Sequence, residues 1–250
     1  MTRKLGYGER ETIDAMLAAS KRPSKMVQIR NAFVQRGTKG KPAPGILAEM
    51  VQKHDRAGLD LFLLHRMMAS SSPWDAGKEA GVWSRALGLA VSETQMHAER
   101  VSRIFRRLDE NYHLVSRDDA RRGGKVTSLL EDGSRDPYTS PTSHYFRLPF
   151  AYWRDDFHRR LTMPGKVVLL IGLTQEPGFV IPPSQVKNWY GISDDTWATG
   201  ARELEDEKVL TSRLGKKRNW MKGDAFNRDL EYTLLAPFDT RAQPGFKGGA

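Results

Sequence analysis

The chain has 250 residues, 39% of them hydrophobic, with 40 Lys and Arg against 30 Asp and Glu, a formal charge of +10 and a pI near 9.8. That length and apolar content suffice for two modest cores, and the positive balance favours a polyanionic partner. The absence of cysteine excludes disulfides, thiolate zinc sites and thiol nucleophiles together. The first residues lack a signal-like apolar core, and no stretch approaches the ~18 apolar residues of a membrane span, so a soluble, cytoplasmic protein is expected.

Residues 21–41 carry seven Lys or Arg and no carboxylate, while Met26, Val27, Ile29, Ala32, Phe33 and Val34 recur at roughly helical spacing. This stretch is expected to be either a basic arm along phosphates or a peripheral amphipathic helix with a solvated charged face followed by a loop at 37–45, within a basic helical segment over 1–56. Helices are predicted at 46–54 and 59–69, the second a core helix broken by 70–73.

Val82, Trp83, Ala86 and Leu87 then form an apolar face before Gly88, which permits the positive φ of a tight turn. Ser92 and Gln95 have the spacing of a capping box for a long helix whose core positions are Met96, Val101, Ile104, Phe105 and Leu108. Beside the cap Ser92, its remaining positions include Glu93, Thr94, Gln95, His97, Arg100, Arg103, Arg106 and Arg107. Arginine forks onto guanine and glutamine pairs with adenine, so this face has the chemistry of major-groove reading. A strand at 112–117, a turn carrying Arg121 and Arg122, and a return strand from Lys125 to Leu130 would form a basic hairpin beside it. Residues 131–143, rich in Gly, Pro, Ser and Thr, read as a long mobile extension of that hairpin, and 144–149 as an apolar strand at a domain edge.

The second half repeats the pattern. The run KVVLLIGL at 166–173 fits a buried strand or a buried helix by periodicity, and Thr162 with Pro164 favours the helix. Pro183 and Ser184 open a helix ending at Trp189, Tyr190 and Gly191, and Ser193 caps the next, in which Trp197, Ala201 and Leu204 make the buried stripe. Candidate DNA contacts here are Lys187, Ser193, Thr196, Thr199 and Arg202, with Lys216, Lys217 and Arg218 on a second basic hairpin around Trp220. Residues 193–208 nevertheless carry a net charge of −4, which opposes a phosphate backbone and keeps a protein-contact role open for this half.

Both stretches, EAGVWSRALGLAVSETQMHAERVSRIFRRLDENYHLVSRDDARRGGKVTSLL and YGISDDTWATGARELEDEKVLTSR, resemble winged helix-turn-helix domains. Tandem winged helices of this size and charge are similar to plasmid and phage replication initiators, and also to bacterial transcription regulators. The resemblance implies a mainly α fold with small β-hairpin wings, organised as a basic helical segment at 1–56, winged-helix domains at 57–149 and 150–239, and a flexible tail at 240–250. It implies sequence-specific binding of double-stranded DNA, with replication initiation at an origin as the favoured role. Transcriptional regulation or partition is the alternative, and a winged-helix protein adaptor the rival from another class. The expected partners are duplex DNA, a second copy on repeated sites, and replication or transcription machinery, without a cofactor.

Enzymatic motifs are not found. GGKVTS lacks the upstream glycine of a phosphate loop, and the six histidines include no HExxH and no H-x-H pair. No catalytic activity is expected.

Overall fold

The structure, a computed structural model, describes residues 5–38, 40–95, 97–117, 125–215, 217–218, 226–227 and 229–242, with the backbone alone for 217–218, 226–227 and 242. The chain begins with α1 (Glu9–Ala19), β1 (Met26–Arg30), β2 (Gln35–Thr38), β3 (Lys41–Pro44) and α2 (Ile46–Gln52). It continues through α3 (Arg56–Met68), β4 (Asp75–Ala76), α4 (Ala80–Ala86), α5 (Ala98–Glu110), β5 (Val115–Arg117), β6 (Val126–Ser128) and β7 (Tyr145–Pro149). The last part comprises α6 (Ala151–Arg154), α7 (Phe157–Arg160), α8 (Met163–Leu173), α9 (Pro183–Tyr190), α10 (Asp194–Asp206), β8 (Leu210–Leu214), β9 (Lys217–Arg218), β10 (Phe226–Asn227) and β11 (Leu230–Leu234). The fold is α+β and mainly helical, with antiparallel sheets of two or three strands.

The basic segment is not the continuous helix its spacing suggested. Met26–Arg30 alternates half-buried and buried positions, with Val27 and Ile29 inward, and pairs antiparallel with β7 from Met26 opposite Pro149 to Arg30 opposite Tyr145. β-Branched residues at alternate positions suit a strand, and the remote partner decides between the two periods. Asn31–Phe33 is a 3-10 turn that buries Phe33, and the expected loop at 37–45 is largely the β2–β3 hairpin. Among the described residues of this segment, α1 and α2 are α-helical, and α3 begins at its last residue.

From α3 onward one element order occurs twice. In the first instance α3 is followed by β4, α4, α5 and the β5–β6 hairpin, with β6 central between β4 and β5. In the second, α8 is followed by an isolated bridge at Phe179, then α9, α10 and the β8–β11 ladder, where Phe179 pairs with Tyr232 of the last strand. Local chemistry fixes the helix ends. Asp55 accepts the Gly58 N–H at 2.9 Å to start α3, and Ser193 Oγ accepts the Thr196 N–H at 3.1 Å to start α10. Gly191, at φ 66, closes α9 with its N–H on the Lys187 carbonyl. Pro164 in the first turn suits α8, but the Thr162 hydroxyl donates to Glu203 Oε2 at 2.6 Å instead of capping its own helix.

Residues 131–143 fold back on the body rather than extending the first hairpin. Leu130 N–H donates to the Asp136 carbonyl at 2.9 Å, Leu129 bridges Pro137, and Tyr138 is buried beneath the Arg66 guanidinium, 3.6 Å from its ring centroid. Glu131, fully buried, accepts from Arg30 at 2.9 Å and lies 3.8 Å from Arg66.

One apolar cluster runs from Ile13 to Phe238 and joins both repeats. Across it, the buried Lys166 ammonium of α8 pairs with Asp60 of α3, Arg56 donates to the Arg159 carbonyl at 3.1 Å, and Gln52 reaches the Gly191 carbonyl at 3.4 Å. No helix among the described residues is long and apolar enough to cross a membrane.

Candidate nucleic-acid interface

The candidate interface is built on α5. Val101, Ile104, Phe105 and Leu108, spaced three and four apart, are buried, and Phe105 meets Trp83 of α4 edge-on with centroids 5.5 Å apart. At about 1.5–3 kcal/mol for each large apolar side chain buried, this stripe holds the helix firmly against α3 and α4. The opposite face exposes Arg100, Arg103 and Arg106, none of which forms an ion pair with another described residue. They recur at three-residue steps, a spacing that keeps them on neighbouring positions of one helix face.

Arg107 is different. Its guanidinium grips Asp55 with two hydrogen bonds of 2.7 and 2.8 Å, and the same carboxylate accepts from Tyr112 Oη at 3.2 Å and from the Gly58 N–H. Burial pushes the Asp55 pKa up, but the Arg107 and Gly58 hydrogen bonds outweigh it and hold the carboxyl below its ordinary value. Arg107 therefore fastens α5 to the start of α3, a role set by a residue on another helix.

The positions before α5 also depart from the expected arrangement. Ser92 Oγ accepts the Gln95 N–H at 3.2 Å, so the capping geometry is present, yet it closes a turn and the helix begins only at Ala98. His97, at φ 48, is the residue before the first turn and makes no side-chain cap. Thr94, Gln95 and His97 are exposed at this entrance and Ser92 is half-buried, which places them beside the exposed arginines but off the helix. Met96 lies outside the described residues.

On the adjoining hairpin Lys125 pairs with Asp75 at 3.3 Å while remaining exposed, and Arg117 donates to Ser102 Oγ of α5 at 3.3 Å. Arg121 and Arg122 lie outside the described residues. A hollow of about 390 Å³ opens under the first turn of α5, lined by His54, Arg56, Arg100 and Arg107 together with Asp55 and Asp60.

In the second repeat Lys187 on α9 and Thr199 and Arg202 on α10 are exposed, Ser193 is the cap, and Thr196 is half-buried with its hydroxyl 2.8 Å from Ser193 Oγ. The acidity of α10 is partly internal. Glu203 accepts from the Thr162 N–H at 2.8 Å and Glu207 pairs with Arg160 at 2.5 Å, while Asp194 and Asp195 sit in the first turn, where the helix dipole favours them. The exposed remainder, Asp194, Asp195, Glu205 and Asp206, still outweighs Arg202. Lys216 lies outside the described residues, and Lys217 and Arg218 form β9, paired with β10.

The 21–41 arm does not present all its cations. Arg22 donates to the carbonyls of Arg66, Met67 and Ala69 at the end of α3, Arg30 binds Glu131 and Thr139, and Arg36 binds the Pro44 and Asp132 carbonyls. Lys21, Lys25 and Lys41 remain exposed. No group of three or more His, Cys, Asp or Glu that could hold a metal ion occurs among the described residues. No protein-family model, curated protein or solved structure matches the chain.

Proposed function

We propose that the chain binds duplex DNA sequence-specifically through two winged-helix modules, and that its role is origin recognition in plasmid or phage replication initiation. The recurrence of helix, short strand or bridge, helix, helix and hairpin supports the reading, because that order sets a long helix beside a two-stranded wing. The observation that carries it is the face of α5, where Arg100, Arg103 and Arg106 stand exposed opposite an apolar stripe. In the proposed mode α5 enters a major groove, Arg100 and Arg103 donate to guanine edges, and Lys125 with the hairpin beyond it neutralises phosphates.

Footprinting on the DNA upstream of the gene tests this reading. Protection of several direct repeats beside an A·T-rich stretch supports an origin, and protection of one palindrome over a promoter supports transcriptional control. Charge reversal of Arg100 and Arg103 should abolish protection while leaving the fold intact.

A second reading rests on α10. Its exposed Asp194, Asp195 and Asp206 favour a protein partner for that module, in the manner of an adaptor. Binding that survives reversal of the α5 arginines and fails on reversal of these carboxylates would put that reading first.

A further inference from the structure

A cleft of about 480 Å³ opens where the end of α1, the turn into β1 and the start of α6 meet. Its walls include Lys21, Arg22, Lys25 and Arg154 over an apolar floor of Leu17 and Phe150, and none of its lining residues is acidic. Arg22 spends its donors on three neutral carbonyls of α3, so its positive charge is not cancelled there. Burial, and secondarily the nearby Arg66, lower its pKa to about 10. Arg154, also exposed, is paired with Asp155 at 2.8 Å, which leaves Lys21 and Lys25 as the exposed cations of the cleft with no ion pair among the described residues.

Those two lysines bracket a hydrogen-bonded turn. Both have φ 51, the Lys25 N–H donates to the Arg22 carbonyl at 3.1 Å, and the Lys25 carbonyl accepts from the Phe150 N–H at 2.9 Å. The backbone that carries the charges is thus tied to the residue that forms the floor. A volume of this size falls in the range of small-ligand sites and is too small for a duplex. Its chemistry, cations at the rim and an aromatic and an aliphatic side chain below, suits a phosphate joined to a flat apolar body.

We propose that this cleft binds a phosphorylated small molecule of mononucleotide size, with the phosphate on Lys21 and Lys25 and the base against Phe150 and Leu17. The site stands apart from the α5 face and does not depend on the duplex-binding reading.

Titration calorimetry of the full chain at about 0.15 M salt, where long-range attraction is screened beyond ~8 Å, tests it with dAMP, ATP and a 5′-phosphorylated single-stranded oligonucleotide. The expected result is one saturable site for dAMP and ATP that Lys21→Gln with Lys25→Gln weakens about tenfold or more, as loss of two charge-assisted contacts implies. Lys78→Gln with Lys208→Gln, removing the same charge from exposed positions elsewhere, should leave the affinity unchanged. Lys21→Arg with Lys25→Arg should retain binding and the thermal midpoint, which separates lost charge from lost fold. Absence of saturable heat with either nucleotide would overturn the proposal, as would equal weakening by the two Gln pairs. Binding of the oligonucleotide alone would assign the cleft to a strand end and overturn the small-molecule claim.

Discussion

Arg103 and Arg107 lie four residues apart on one helix, yet their truncation should give opposite phenotypes. Arg107 makes a two-pronged contact of 2.7 and 2.8 Å with Asp55, a carboxylate only 7% exposed, and losing it strands that carboxylate with Tyr112 and the Gly58 N–H as its remaining donors. Hydrogen bonds to charged groups contribute about 1.5–3 kcal/mol, and the 38% exposure of the Arg107 side chain lowers this through solvent screening. Arg107→Ala should therefore cost about 1–2 kcal/mol of stability. Arg103 is exposed and without an ion pair among the described residues, so Arg103→Ala should change stability by less than ~0.5 kcal/mol. On DNA the order reverses: Arg103→Ala should lose about 1–3 kcal/mol of binding to the preferred duplex and relax the preference at one base position. Urea denaturation and fluorescence anisotropy on the same two proteins read both quantities. Equal stability losses would refute the assignment of Arg107 to the fold, and full affinity in Arg103→Ala would refute the assignment of Arg103 to base reading.

Other consequences are equally direct. His65 is fully buried, and burial, partly offset by its 2.9 Å contact with the Val126 carbonyl, lowers its pKa from 6.5 to about 4. Between those values the unfolded chain binds the extra proton, so this group makes stability rise with pH from about 4 to 6.5 and is neutral in both states above that range. Denaturation in that window should show a flatter slope for His65→Gln than for the parent chain. Gly191→Ala would place a Cβ 2.7 Å from Ala48 Cβ at φ 66, and the left-handed conformation alone costs about 1–2 kcal/mol, so a lowered thermal midpoint is expected. Lys166→Ala leaves Asp60 facing the core with Arg56 at 3.7 Å as its ion-pair partner and should cost about 3 kcal/mol or more, whereas Lys166→Met with Asp60→Asn should recover part of it.

Local signals in the sequence identified the helices of both repeats. Ser193 before an apolar stripe at three- and four-residue spacing, and Pro164 opening KVVLLIGL, act within one or two turns, and α10 and α8 form where those signals stand. Gly88 and Gly191 mark tight turns with φ 62 and 66 for the same reason. What the sequence concealed depends on distant partners. Met26–Arg30 satisfies two periodicities, and its pairing with Tyr145–Pro149 makes it a strand. Ser92 and Gln95 realise a capping contact in a turn that never becomes helix. Of the α5 candidates, Arg100 and Arg103 are exposed as expected, while Arg107 answers to Asp55 on α3. Part of the acidity of α10 is met within the fold, where Glu203 accepts from Thr162 and Glu207 pairs with Arg160, partners that lie far away in the sequence. Residues 131–143, polar and rich in turn formers, fold inward because Arg66 and Tyr138 give Glu131 a buried setting that no local pattern announces.

Fluorescence anisotropy of the full chain on duplex from the region upstream of its gene, against a scrambled duplex at two salt concentrations, tests sequence-specific recognition most directly. The account predicts that affinity for both falls as salt rises, through release of phosphate counterions, while a preference for the native duplex persists and disappears in Arg100→Ala with Arg103→Ala. Equal binding to the two duplexes at both salts, or a preference that survives loss of the two arginines, would contradict it.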